Sequence, residues 1–164
     1  MINGDSEKLD SGRGRFNRYA PVILWIALIF YLSSSSGASA NTSRFVRPLL
    51  EWLFPLASED LLAIYHGYVR KCAHLFIYGG LTLLSYRAFV GSSIGWIGRL
   101  PYVWALGLVA VVGALDELNQ SFNALRTGTA SDILIDLLGG LLAGVLIILA
   151  RAALGRVPED SGLS

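Results

Sequence analysis

Charge is what this sequence has least of. Of its 164 residues only 15% are Asp, Glu, Lys or Arg, while 54% are apolar; a soluble domain carries about 25% charged residues. Together with a mean hydropathy of +0.55, this excludes an ordinary water-soluble domain and points to a membrane protein with a single domain. The net charge is +1, and no basic stripe is available to neutralise phosphates, so nucleic acid is excluded as a partner. Cys72 is the single cysteine. No intrachain disulfide can form, and the redox compartment cannot be read from pairing. Two histidines and one thiol also fall short of a zinc pattern built on sulfur and imidazole alone. No Walker-type phosphate loop occurs.

What is present is a succession of apolar runs. Residues 1–19 are polar and read as a disordered cytoplasmic tail. Tyr19 to Ser36 then forms a first membrane helix. A cleavable leader ending at Ala38-Ser-Ala40 is the alternative reading of the same run. In residues 38–58, Phe45, Val46, Leu49, Leu50, Leu53 and Phe54 recur at helical spacing with Arg44, Arg47 and Glu51 between them. Such a segment suits the membrane interface, although Pro48 and Pro55 limit its regularity. Ser58 before Glu59 and Asp60 reads as an N-cap. From Leu61 to Val90 the helical pattern is continuous, about 45 Å at 1.5 Å per residue. That exceeds a hydrocarbon core of about 30 Å, so the first turns project into water or the helix tilts. Pro101 opens a third helix over Tyr102 to Gln120, and a fourth spans Ser131 to Ala150. Gly140 and Gly144 in the fourth have a close-packing spacing. The expected fold is all-α: an integral membrane four-helix bundle with an interfacial amphipathic segment between spans one and two. Residues 20–150 form the membrane domain, and 151–164 a short cytoplasmic tail.

Four spans put both termini on one side. That side holds Lys8, Arg13, Arg15, Arg18, Arg87, Arg99, Arg151 and Arg156, against Arg44, Arg47, Arg70, Lys71 and Arg126 on the other. The excess favours cytoplasmic termini.

In this topology the polar residues of the spans collect at one membrane face. Lys71, His74 and Tyr78 share a helix face, continued by Thr82 and Ser85. Asp116, Glu117 and Gln120 close the third helix, and Asp132 and Asp136 open the fourth, with Arg126 between them. A carboxylate or ammonium at a helix centre in lipid costs roughly 2.5–3.5 kcal/mol, so the cluster needs internal pairing or a function to offset it. One reading is a polar clasp that braces the bundle. The other is an outward-facing cleft for a polar headgroup. In the cleft, Lys71 and Arg126 hold anionic oxygens, Tyr78, Gln120 and Asp132 complete the ligand-binding wall, and His74 exchanges a proton with Asp116 or Glu117 orienting it. If the chain is an enzyme, His74, Asp116 and Glu117 are its catalytic residues. A metal held by His74, Asp116, Glu117 and Asp132 is possible by ligand type, but the spacing does not point to one. No metal and no cofactor is expected.

Several of these residues carry a family resemblance. Ile29-Phe-Tyr-Leu-Ser-Ser34, Arg70-Lys-Cys-Ala-His74 with Tyr78, Asp116-Glu-Leu-Asn-Gln120, and Arg126-Thr-Gly-Thr-Ala-Ser-Asp132 followed by Asp136 and Gly139 resemble the VanZ-like membrane proteins over roughly residues 20–150. The resemblance implies a bacterial inner-membrane protein, and the family's namesake is associated with low-level teicoplanin resistance. It does not supply a reaction. The partners it implies are the lipid bilayer and an amphiphile or lipid-linked envelope precursor. Members often carry Asn or Asp at the position of Asp136, which ranks its charge below that of Asp116 or Glu117. The four-serine run Ser33–Ser36 departs from the usual Ser-Ser-Gln.

Overall fold

The computed structural model describes residues 3–34, 39–121 and 130–154. Among them there are six helices and no strand: α1 (Asn3–Ser33), α2 (Ser39–Leu53), α3 (Glu59–Val90), α4 (Gly95–Arg99), α5 (Pro101–Ser121) and α6 (Ala130–Leu154). Three described segments are long and apolar enough to cross a membrane: Gly14–Ser33 of α1, all of α5, and Asp132–Leu154 of α6. At 32 residues α3 has the length, but His74, Thr82, Ser85 and Arg87 interrupt its apolar run.

The helix boundaries follow local chemistry. The Ser58 hydroxyl oxygen accepts from the Leu61 N–H at 3.4 Å, and Glu59 and Asp60 complement the positive end of the α3 dipole. Pro101 opens α5, where its missing N–H leaves no hydrogen bond unmade. α1 begins at Asn3 and is continuous with the first span; no proline precedes Pro21 to interrupt it. The connection before α5 contains the short α4. It is held by the Trp104 indole, which donates to the Trp96 carbonyl at 3.3 Å and meets the Trp96 ring edge-on, with centroids 4.4 Å apart.

Helix α3 is the axis of the packing, with α6, α5, α1 and α2 all against it. Its Gly79-Gly80 pair admits neighbours on both sides. A Cβ at Gly79 would sit 3.2 Å from the Gly139 carbonyl of α6, and one at Gly80 would sit 2.7 Å from the Trp25 ring of α1. The same indole donates to the Ile77 carbonyl at 2.9 Å, which pins α1 to α3. A Cβ at Gly139 would run into the backbone carbonyl of Leu75, so α3 and α6 meet backbone to backbone there. Gly140 and Gly144, the pair with the close-packing spacing, face Leu106, Thr82 and Tyr102.

An apolar core that includes Tyr78, Leu81, Val109 and Val112 is joined by buried polar residues, and a large apolar surface lies outside it. Thr82, Ser85, Asp116, Glu117, Gln120 and Asp136 are buried, while Leu134, Leu138, Leu141, Val145, Leu146, Ile148 and Leu149 of α6 lie exposed. An apolar surface this continuous needs a nonaqueous partner, and lipid is the solvent that supplies it. α2 packs on α3. Arg47 ties it to α3 by bonding Glu51 of its own helix at 2.7 Å and Glu59 at 2.7 Å. Leu50 is buried, while Phe45 and Trp52 are 81% and 76% exposed.

Candidate functional site

Three helices each bring polar side chains one turn apart to a common point. α3 contributes Arg70 and His74, the C-terminal end of α5 contributes Asp116 and Gln120, and the N-terminal end of α6 contributes Asp132 and Asp136. Residues four apart share a helix face, so each pair can turn inward together. The links run across helices. Arg70 Nη2 donates to Gln120 Oε1 at 2.8 Å and lies 3.5 Å from Asp132 Oδ2. Gln120 Nε2 donates in turn to Asp116 Oδ2 at 2.9 Å. His74 Nδ1 is 3.0 Å from Asp136 Oδ1, and its ring stacks on Tyr78 with centroids 6.0 Å apart.

The cluster is deep. Asp136 has no exposed surface, Asp116 is 2% exposed and Glu117 6%. Among the described residues, Asp116 Oδ1, Asp136 Oδ2 and the Tyr78 hydroxyl have no hydrogen-bond partner. His74, Asp116 and Glu117 each offer an atom within 4.8 Å of the other two.

A cavity of about 200 Å³ opens beside this cluster. Ile29, Leu32, Val46 and Val69 form its apolar side, and Arg70, His74, Tyr78, Asp116 and Gln120 its polar side. His66 lines it too. Among the described residues the chemistry on offer is mixed: the Arg70 guanidinium, an imidazole already held by a carboxylate, and carboxylate oxygens beyond it.

Of the residues expected at the site, His74, Tyr78, Asp116, Glu117, Gln120 and Asp132 are brought together. Lys71 is exposed, and its neighbour Arg70 takes the inward position. Arg126 lies outside the described residues. The contact with His74 belongs to Asp136, the carboxylate to which the resemblance assigns a less certain charge. Helical spacing carried the signal for both residues. Arg70 stands four before His74, as close an alignment as three, and Asp136 stands four after Asp132.

The family model VanZ/LLP1 matches residues 19–151. The chain belongs to the VanZ/LLP1 family. The match takes in every residue of the polar cluster and the whole cavity wall. No curated protein and no solved structure matches the chain. This VanZ/LLP1 chain is therefore a membrane protein whose polar residues are concentrated inside the helix packing, between α3, α5 and α6.

Proposed function

We propose that this VanZ/LLP1 protein is a four-span bundle of the bacterial inner membrane, with both termini cytoplasmic and α3 as its second span. An outward-facing charged cleft in it binds the headgroup of an amphiphile or of a lipid-linked envelope precursor. One observation carries the reading: a single cavity has an aliphatic wall from α1, α2 and α3 and a polar wall from α3 and α5. Ligand cavities combine an apolar lining with a few placed polar groups that fix orientation. An acyl or prenyl chain lies along Ile29, Leu32 and Val69, and the headgroup meets Arg70, His74 and Gln120. Arg70 supplies the cation, and a guanidinium suits the paired oxygens of a phosphate or carboxylate. Arg126, in the connection between α5 and α6, is a second donor, and Asp132 orients Arg70. An effect on glycopeptide susceptibility follows from the family association alone.

The test is binding of dodecyl phosphate to the purified chain in neutral detergent, with a neutral dodecyl glycoside as the comparison. Preference for the phosphate that is lost in Arg70→Ala supports the cleft. Equal binding of both amphiphiles leaves only the polar clasp that braces the bundle.

A second reading is favoured by the His74–Asp136 pair at 3.0 Å. An imidazole oriented by a buried carboxylate is the arrangement that general acid–base catalysis uses. On this reading the chain is an intramembrane enzyme acting on a lipid-linked substrate, with His74 moving the proton and Asp116 and Glu117 beside it. Turnover that disappears in His74→Ala while amphiphile binding persists distinguishes it from a binding protein.

A further inference from the structure

The spacing of the acidic residues along the chain does not call for a metal, but their placement in space does. Asp116 is 2% exposed. Its Oδ2 accepts from the neutral amide of Gln120, the neutral Tyr78 hydroxyl interacts with the same carboxylate, and among the described residues no hydrogen bond is made to its Oδ1. A carboxylate buried to this depth is costly unless it is paired or coordinates a cation. Arg70, the guanidinium in the cluster, is engaged with Gln120 and Asp132. Among the described residues, His74 and Glu117 each offer an atom that could share a cation with Asp116, the three within 4.8 Å of one another.

His74 adds an independent observation. Its Nδ1 faces Asp136 Oδ1 at 3.0 Å, and Asp136 is wholly buried. With Nδ1–H donating to that carboxylate, Nε2 keeps its lone pair free for coordination. Metal-bound histidines almost always have this carboxylate behind the far ring nitrogen, because it fixes the tautomer and raises the basicity of the coordinating one. His74 and Asp116 both line the cavity, which provides an entry path.

We propose that His74, Asp116 and Glu117 hold a divalent transition-metal cation, with Asp136 as the positioning residue for His74. One imidazole and two carboxylates suit Zn²⁺, Mn²⁺ or Fe²⁺ better than Mg²⁺ or Ca²⁺, which take oxygen ligands. The cation compensates the buried carboxylate of Asp116, and the cavity lined by His74 and Asp116 gives it access. It also makes the acidic wall attractive to an anionic group. The site does not depend on the headgroup reading, because metal uptake is measured with no amphiphile added beyond the detergent.

The experiment uses the untagged full chain in neutral detergent, stripped with a chelator and then exposed to excess Zn²⁺. Bound metal is counted by elemental mass spectrometry after gel filtration, and Mn²⁺ affinity is followed by electron paramagnetic resonance. The expected result is one metal per chain. Asp116→Asn and Glu117→Gln, both close in shape to the native residues, lower Mn²⁺ affinity by at least tenfold. Asp136→Asn lowers it by about 10–100-fold, the range for a lost outer-shell partner. Glu59→Gln, at the exposed start of α3, leaves it unchanged. Circular dichroism and elution volume establish that each variant keeps its fold. A wild-type chain that is helical and monodisperse but takes up no stoichiometric metal overturns the proposal. So does a bound metal whose affinity is unaffected by Asp116→Asn and Glu117→Gln.

Discussion

Asp136 Oδ1 lies 3.0 Å from His74 Nδ1, and no part of Asp136 reaches the surface. The contact joins α6 to α3 at the polar end of their packed faces, one turn from the glycine contact at Gly139. It gives both residues a defined orientation, because an imidazole held at one nitrogen presents the other in a fixed direction.

The pair should be energetically coupled. His74→Ala and Asp136→Ala each destabilise the protein, and the double variant should cost less than the sum of the two by about 0.5–3 kcal/mol. Unfolding of the four proteins of this cycle in detergent micelles measures the difference. Simple additivity would mean that the two side chains touch without stabilising each other.

Two glycine substitutions should act in opposite directions. Gly139→Ala drives a Cβ into the backbone carbonyl of Leu75, which cannot turn away as a side chain can. Overpacking of this kind costs about 1–3 kcal/mol. A Cβ at Gly107 on α5 meets nothing within 4 Å. Gly107→Ala should therefore be neutral or stabilise by up to about 1 kcal/mol through helix propensity. Thermal midpoints of the two variants in one detergent give the comparison, and a similar loss in both would remove the α3–α6 contact as the reason.

Arg70 and Lys71 are adjacent cations with different surroundings. Arg70 bonds Gln120 at 2.8 Å and lines the cavity, whereas Lys71 is exposed. Arg70→Ala should weaken dodecyl phosphate binding by about tenfold, the scale of one charge-assisted hydrogen bond. Lys71→Ala should change it less than about twofold, as an exposed ionic contact contributes little. The reverse order, read by calorimetric titration, would move the anion contact to the exposed face of α3.

Topology has a direct test. In a Cys72→Ser background, Gly128→Cys should react with a membrane-impermeant thiol reagent in intact cells, and Gly95→Cys only after the membrane is opened. Labelling of Gly95→Cys alone from outside would invert the proposed orientation and put the polar cluster on the cytoplasmic side.

The helices were legible because their causes are local. Ser58 with Glu59 and Asp60 marks the start of α3, Pro101 marks the start of α5, and the long apolar runs mark α1, α5 and α6. The polar cluster was legible too, since charges this rare in apolar helices stand out one by one. Asp116, Gln120, Asp132 and His74 could all be read from the chain. Which of two neighbouring residues faces inward was not. Lys71 and Arg70 differ by about 100° around α3, and both lie within a turn of His74. Only the angle at which α5 and α6 pack on α3 selects Arg70.

The partner of His74 was decided in the same way. Asp116, Glu117, Asp132 and Asp136 are equivalent acids along the chain, and no local rule ranks them against a histidine more than 40 residues away. Composition, helix signals and family motifs are written residue by residue, and they suffice for an all-helical membrane protein of the VanZ/LLP1 family whose acidic residues gather where α3, α5 and α6 meet. The tertiary structure decided that Asp136 holds His74, that Arg70 joins Gln120 to Asp132, and that His74, Asp116 and Glu117 converge within 4.8 Å. Those relations depend on helix rotation and on the close approach of α6 to α3 at Gly139. Rotation and approach are set by packing between segments far apart in the chain.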